Sequence, residues 1–256
     1  MIDLHNHIIN QSEIDDINWQ NILETARLAV GEGIEHLVWT PEIYTVEDLE
    51  RLSEFQKLVD KLQAEIDVSG YPLKVSLGAD LHLSYVNEPM CRYLKECINT
   101  NYLIVSFNPY VKPSNIHEFI ISILSQNLVP IIAHPEQYVW LNEEFKLIYD
   151  LIELGAWFQV TSDSLLGMLG LQAKTWANRL IEEGLVHLVA SESHSLDYKP
   201  PMLGEAKLQV DNKLGPKEAD NMFHNRAYAL INNQGLDSVS LPPGILAYWD
   251  RREITA

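Results

Sequence analysis

Short, almost continuously apolar runs recur along the whole chain and alternate with helical patterns of 3.6-residue period. Such runs are typical of strands buried on both faces, and their alternation with helices favours a parallel sheet. The predicted strands number seven: Ile2–Leu4, Ile34–Trp39, Leu73–Leu77, Tyr102–Phe107, Val129–Ala133, Ala156–Val160 and Val186–Ala190. A closed (β/α) barrel and an open doubly wound sheet both fit this order of elements.

The length of the chain agrees with a single barrel-sized unit. The chain has 256 residues, of which 46% are hydrophobic, and (β/α) barrels commonly reach this size as one domain. No linker, low-complexity segment or internal repeat interrupts it. We therefore predict one α/β domain spanning residues 1–256.

The net charge of the chain limits the classes of binding partner, and its cysteines indicate the cellular compartment. The formal net charge is −18, which repels nucleic-acid phosphates and anionic lipid headgroups. The N-terminal residues lack the pattern of a signal peptide, and no apolar run approaches the roughly 18 residues that a membrane span needs. Cys91 and Cys97 lie six residues apart in a helical pattern, poorly placed to bridge each other. We expect a cytoplasmic protein that neither binds nucleic acid nor inserts into a membrane.

Metal-capable side chains follow five of the predicted strands. In a parallel α/β barrel the carboxyl ends of the strands share one face, so these side chains are expected to converge there. The segments concerned are His5-Asn6-His7, Thr40-Pro41-Glu42, Gly78-Ala79-Asp80, His134-Pro135-Glu136 and Ser191-Glu192-Ser193-His194.

The His5-x-His7 pair is the clearest metal-binding pattern. Residues i and i+2 of a strand project to the same side, so two imidazoles there can bind one ion. Mixed imidazole and carboxylate ligands suit Mn, Fe, Zn or Co, and a central carboxylate such as Asp80 can bridge two ions. His82, two residues beyond Asp80, is a further candidate to point into the site. Four other histidines have no such neighbours and are interpreted as structural: His36, His117, His187 and His224.

These motifs, in this order, resemble those of the PHP (polymerase and histidinol phosphatase) superfamily. The chain from Met1 to about Asn233 is more closely similar to the bacterial tyrosine phosphatases of capsular and exopolysaccharide operons. The resemblance implies a distorted (β/α)7 TIM-like barrel and a cluster of two or three divalent ions, most often manganese, with zinc or iron as alternatives. It implies hydrolysis of phosphotyrosine by a metal-activated water, on a partner protein that is a tyrosine autokinase of polysaccharide assembly.

The resemblance also implies the site residues. The expected metal ligands are His5, His7, Glu42, Asp80, His134, Glu192 and His194. The expected catalytic residues are Asp15, Gln137 and Lys199.

Five of these positions depart from the family pattern. Glu42 stands where the family has histidine, Asp80 where it has glutamate, and Glu192 where it has aspartate, so each can still bind a metal. Gln137 and Lys199 stand where the family has arginine, which grips phosphate with two hydrogen bonds. We therefore expect a retained metal site and weak phosphatase activity. A catalytically silent relative that binds a partner, and a metallohydrolase with a substrate that is not a phosphate, are the alternatives.

Overall fold

The predicted alternation of strands and helices is present in the computed structural model, which describes residues 1–82, 95, 98, 100–235 and 238–253. Cys91 and Cys97 lie outside the described residues. The strands are β1 (Ile2–Asn6), β2 (His36–Trp39), β3 (Glu42–Ile43), β4 (Lys74–Leu77), β5 (Asp80–His82), β6 (Tyr102–Ser106), β7 (Val129–Ala133), β8 (Trp157–Thr161) and β9 (Leu188–Ala190).

Helices follow most of the strands and pack against them. They are α1 (Trp19–Gly31), α2 (Val46–Glu50), α3 (Leu52–Ser69), α4 (Ile116–Ser125), α5 (Val139–Glu143), α6 (Lys146–Leu154), α7 (Ser162–Leu166), α8 (Leu171–Glu182), α9 (Gly204–Leu214), α10 (Pro216–Asp220), α11 (Arg226–Ile231) and α12 (Pro243–Glu253). Tight 3-10 turns form at Gln11–Asp16 and Pro135–Gln137, and a π-helical turn at Asn221–Asn225 joins α10 to α11. Among the described residues, no helix is long and apolar enough to span a bilayer.

All strand pairs are parallel, and they form two sheets. One sheet has the order β1-β2-β4 and the other the order β3-β5-β6-β7-β8-β9. Each of the seven predicted strands overlaps an observed one, and β3 and β5 are additional. They arise because β2 and β4 are interrupted at Thr40-Pro41 and Gly78-Ala79 and then continue, with Glu42 beside Asp80 in the β3–β5 register.

Gly78 is required where the chain passes between β4 and β5. A Cβ atom at this position would lie 2.8 Å from Cγ1 of Val38, closer than a Cβ atom approaches another carbon, so a neighbouring group would have to move. The Gly78 amide donates to the carbonyl of Trp39 at 2.7 Å, and the Asp80 amide donates to the carbonyl of Pro41 at 3.0 Å. The close approach of the two chains therefore holds Asp80 at the edge where Glu42 lies.

The first strand also meets the last one. Asn6 and Ser193 form a parallel bridge, the His7 amide donates to the Ser193 carbonyl at 2.7 Å, and the Glu192 amide donates to the His5 carbonyl at 2.9 Å. The buried Asp3 carboxylate accepts from the Ser191 amide at 2.9 Å and from its hydroxyl, and it also accepts from Asn6. This contact region fixes the two metal-capable segments of β1 and β9 side by side.

A compact apolar cluster fills one face of the sheets below these strand ends. It is made of strand residues two apart, such as Ile2 and Leu4, or Val129 and Ile131, together with Ala227 and Leu230 of α11. Because side chains alternate across a strand, Gln159 of β8 lies on the same face as Trp157 of this cluster. A polar side chain therefore lies directly above the apolar layer, on the side of the strand ends.

Candidate metal centre

The side chains that follow the strands meet at one end of the sheets. His5 is the next-to-last residue of β1, and Asp80 is the first residue of β5. His134 follows β7, and Glu192 and His194 follow β9. The ring centres of His5 and His134 are 6.1 Å apart, those of His5 and His7 are 5.0 Å apart, and those of His7 and His194 are 4.8 Å apart. Four histidines from three separate segments of the chain thus line a single small volume.

His5, His7 and Asp80 have the spacing of ligands to one ion. All three are buried, and one ligand atom from each lies within 4.8 Å of the other two. The Nε2 atoms of His5 and His7 are 3.1 Å apart, and the His5 Nε2 is 3.6 Å from the Asp80 Oδ2. Two nitrogens bound about 2.1 Å from one ion lie about 3.0 Å apart at a right angle and about 3.4 Å apart at a tetrahedral angle. These residues therefore fit a divalent ion.

Gln159 sets the orientation of His5. The Nδ1 of His5 lies 2.8 Å from the Oε1 of Gln159, and the amide group of Gln159 is itself oriented because its Nε2 donates to the Val160 carbonyl at 3.2 Å. A carbonyl oxygen can only accept, so the proton of His5 resides on Nδ1 and the lone pair on Nε2 faces His7 and Asp80. This is the arrangement that a metal-binding histidine requires.

Ser106 joins Asp80 to His134. Its hydroxyl donates to the Asp80 Oδ1 at 2.6 Å and lies 3.3 Å from the Nε2 of His134. Ser106 comes from the end of β6, the strand between those that carry the other two residues. A neutral hydroxyl thus occupies the space between a carboxylate and an imidazole.

Glu192 is the most strongly charge-paired carboxylate of the centre. Its Oε1 lies 3.8 Å from the His134 Nε2, and its Oε2 lies 2.9 Å from the Lys199 Nζ. Burial by itself raises the pKa of Glu192, but His134, Lys199 and His5 together hold that pKa well below its usual range. Glu192 is therefore an anion at neutral pH.

Burial favours the neutral form of three histidines of the centre. Burial lowers the pKa of His134 and His194, and it lowers that of His7 well below its usual value, with the neighbouring His5 adding to the effect there. A neutral imidazole keeps a lone pair that can bind a metal. The local electrostatics therefore favour metal binding over protonation.

Three residues of the centre hold a strained backbone. His134 has φ 36°, Glu192 has φ 52° and Lys199 has φ 52°, all in the left-handed region that side chains other than glycine disfavour. Such conformations cost on the order of 1–3 kcal/mol each and persist where the surrounding structure fixes them. Their clustering here points to a functional constraint on how these side chains are aimed.

Glu42 and His82 lie at the margin of the centre. The Glu42 Oε1 accepts a hydrogen bond from the Tyr44 hydroxyl at 2.8 Å, and the rings of Tyr44 and His82 are 5.0 Å apart. Burial raises the pKa of Glu42, and the nearby Asp80 raises it further. Glu42 thus lies beside Asp80. Among the described residues, the ligand atoms that have the spacing for one ion are those of His5, His7 and Asp80, without Glu42.

The structure separates the three residues expected to be catalytic. Lys199 lies in the centre beside Glu192. Gln137 is half-buried at the rim, in a cavity of about 330 Å³ shared with Tyr110 and Leu169. Asp15 is exposed in the 3-10 turn after β1, and no described hydrogen bond or ion pair joins it to the histidines.

Three polar residues of the centre were missed at the level of sequence. Gln159 and Ser106 lie in the last residues of β8 and β6, and Asp163 follows β8 in the first turn of α7. Asp163 is only 2% exposed, and its pKa is raised by burial, lowered by Lys199 and raised by Glu192. The strand-end rule that selected His134 would have found all three, had it been extended to amide and hydroxyl side chains and to the segment that follows β8.

Most of the chain matches a known protein family. The family model described as "Capsular polysaccharide synthesis, CpsB/CapC" matches residues 1–232. The tyrosine-protein phosphatase YwqE of Bacillus subtilis is 29% identical to this chain, covering 91% of it and 92% of its own length. The tyrosine-protein phosphatase CpsB of Streptococcus pneumoniae is 27% identical, covering 91% of this chain and 99% of its own length.

Two solved structures illustrate how the fold is shared with other proteins. One comes from crystal structures of YwqE from Bacillus subtilis and CpsB from Streptococcus pneumoniae, described as unique metal-dependent tyrosine phosphatases. It superposes with a TM-score of 0.81 at 26% identity over 95% of this chain and 98% of that one. The other is a mutant of an organophosphorus hydrolase from Deinococcus radiodurans, with a TM-score of 0.54 at 12% identity over 86% and 89% of the two chains. The latter shows a likeness of fold alone.

Proposed function

The chain belongs to the CpsB/CapC family of capsular polysaccharide synthesis, as its motifs predicted, and we propose that it is a metal-dependent protein-tyrosine phosphatase. The observation that carries the proposal is the buried trio of His5, His7 and Asp80, with ligand atoms at the spacing of one divalent ion. The relatives that match nearly the whole chain are named tyrosine-protein phosphatases, and the similar solved structures are described as metal-dependent.

The metal is a divalent ion, with manganese proposed first and zinc or iron as alternatives, because the ligands are imidazole and carboxylate groups. His5, His7 and Asp80 would hold the first ion, and Asp80, His134 and Glu192 would contribute to a second. Bound at these residues, a divalent ion lowers the pKa of a water and offsets charge on a phosphoryl oxygen. Glu42 and His194 are proposed as outer ligands of the same cluster.

The chain's own residues supply orientation. Gln159 keeps the lone pair of His5 directed at the centre, and Ser106 keeps the carboxylate of Asp80 in place. A cavity of about 390 Å³ opens beside His194, lined by Asn10, Asn18 and Tyr198 among others. It is large enough for an aromatic side chain, and we propose that the phosphotyrosine ring enters here. Asp15 and Gln137 do not line this cavity, and they are proposed as further catalytic residues outside it.

The closed barrel, the single domain, the partner and the compartment are parts of the same proposal. The Asn6–Ser193 bridge between the first and last strands supports a closed, distorted (β/α)7 barrel as one domain over residues 1–256. The substrate proposed is a phosphotyrosine-bearing protein, a tyrosine autokinase of polysaccharide assembly, because the family acts in capsule synthesis. Such a kinase is phosphorylated with cytoplasmic ATP, so a cytoplasmic location is proposed.

Turnover of matched phosphopeptides tests the function. The purified protein, supplied with Mn²⁺, is expected to release phosphate from a phosphotyrosine peptide and from p-nitrophenyl phosphate, and to release less from a phosphoserine peptide of the same sequence. Chelation of the metal should abolish the release and fresh Mn²⁺ should restore it. Metal binding without turnover of any phosphate ester would refute the proposal and favour a silent, partner-binding relative or a metallohydrolase whose substrate is not a phosphate.

A further inference from the structure

Lys199 places an ammonium group among the proposed metal ligands. Its Nζ lies 2.9 Å from the Glu192 Oε2, without the geometry of a hydrogen bond, and the lysine and glutamate side chains are 12% and 13% exposed. An ammonium group on this nearly buried side chain places a compact positive charge at a short distance from the centre. It meets the carboxylate that would otherwise be available to a second metal ion.

The backbone holds Lys199 in this position. The His194 amide donates to the Lys199 carbonyl at 2.9 Å, and the Ser195 amide donates to the Tyr198 carbonyl at 2.8 Å. These bonds fold residues 194–199 into a tight loop that returns the chain to Glu192, with Lys199 itself at φ 52°. Unlike a lysine on a flexible surface segment, Lys199 is thus built into the loop that carries His194.

Glu192 is the one anionic ligand that the second ion position does not share with the first, since Asp80 belongs to both. His134 and Glu192 approach each other to 3.8 Å, but the residue between Asp80 and His134 is Ser106, a neutral hydroxyl. Neutral ligands do little to offset the charge of a second divalent ion. The Glu192 carboxylate therefore decides whether that ion binds, and Lys199 already neutralises it.

We propose that the Lys199 ammonium competes with a metal ion for the Glu192 carboxylate, so that the chain binds one divalent ion tightly at His5, His7 and Asp80 and a second one only weakly. The inference rests on the proposed metal centre and specifies its stoichiometry. Two cations a few ångströms apart repel strongly in a partly buried site. The second ion can bind fully only when the ammonium leaves Glu192.

Metal titration of the intact protein tests this competition. Wild-type protein, stripped of metal and titrated with Mn²⁺ by calorimetry, is expected to bind one equivalent tightly, with any second equivalent at least about tenfold weaker. Lys199→Met removes the charge and keeps the length of the side chain, so it should tighten the second binding event by about tenfold or more. Lys199→Arg should behave like the wild type. Lys112→Met, which removes an exposed lysine paired with Glu144, is the charge-matched control and should change neither event.

The outcomes separate this inference from the proposed function. Wild-type protein that binds two ions with equal affinity would overturn the competition while leaving the metal-dependent function intact, and this result needs no variant to fold. A weaker second event in Lys199→Met would also overturn it, since the lysine would then support the site. Failure of the wild type to bind any Mn²⁺ would refute the metal centre itself.

Discussion

The Nδ1 of His5 and the Oε1 of Gln159 lie 2.8 Å apart, although 154 residues separate them in sequence. This contact fixes which ring nitrogen of His5 carries the proton. It therefore couples the end of β8 to the metal-binding capacity of β1, and it makes Gln159 a positioning residue of the centre.

Replacing Gln159 by leucine should weaken metal binding by about 10- to 100-fold, the range typical for loss of a group that orients a metal-binding histidine. Without the acceptor, His5 can place its proton on Nε2 and lose the lone pair that faces His7. Titration of metal-free protein with Mn²⁺ measures the effect. Gln20→Leu, which alters an exposed glutamine paired with Glu24, is the control and should bind metal as the wild type does. Unchanged affinity in Gln159→Leu would show that packing alone orients His5.

Removing an imidazole from the trio should abolish stabilisation by metal. At a free Mn²⁺ concentration of 100 times the dissociation constant, binding adds about 2.7 kcal/mol to the free energy of unfolding. His5→Ala should show none of this gain in urea titrations with and without Mn²⁺. His117→Ala, at an exposed position of α4, should keep all of it. Full metal stabilisation of His5→Ala would place the ion elsewhere.

Replacing Gln137 by arginine should raise phosphatase activity. The Nε2 of Gln137 is buried without a hydrogen-bond partner among the described residues, and an amide cannot offer the charged, two-pronged contact that arginine offers a phosphate. One donor aimed at the developing charge contributes on the order of 3 kcal/mol, or roughly a hundredfold in rate. The initial rate on p-nitrophenyl phosphate with Mn²⁺ measures the change. A high initial rate in the native enzyme that falls in Gln137→Arg would contradict our interpretation of Gln137 as a missing phosphate contact.

Stability of the metal-free protein should fall as the pH drops below about 6.5. His187 accepts a hydrogen bond from the Phe158 amide at 3.1 Å, and burial, with the Arg226 charge adding to it, lowers its pKa well below the usual value. The unfolded chain takes up a proton at this histidine below about pH 6.5 whereas the folded chain does not, so stability present above that pH is lost as the pH falls.

His187→Asn should reduce this pH dependence, because the asparagine Oδ1 can accept the same bond and does not titrate. Between pH 7 and 5.5 the wild type should lose about 1 kcal/mol more than the variant, as follows from a group that loses up to about 1.4 kcal/mol per pH unit. Urea unfolding at several pH values measures the difference. An equal slope in both proteins would show that His187 is protonated in the folded state.

The sequence by itself determined the class of fold and the residues that meet at its functional end. Seven apolar runs separated by amphipathic helices specify parallel strands, and parallel strands bring His5, Asp80, His134 and Glu192 to one edge whatever the details of packing. The family followed from the same motifs. These properties depend on the local pattern of apolar residues and on the order of strands and helices, and both can be read directly from the sequence.

Only the tertiary structure decided which of these side chains touch. The breaks that create β3 and β5 depend on the close approach of Gly78 to Val38, a contact between two strands that local pattern does not encode. The pairing of Lys199 with Glu192 depends on the fold of a short loop, and the support of His5 by Gln159 depends on the register of β8. Distances of a few ångströms between remote residues are set by packing and hydrogen bonds across the whole molecule. The pairing of positive and negative side chains in the centre therefore could be determined only from the tertiary structure.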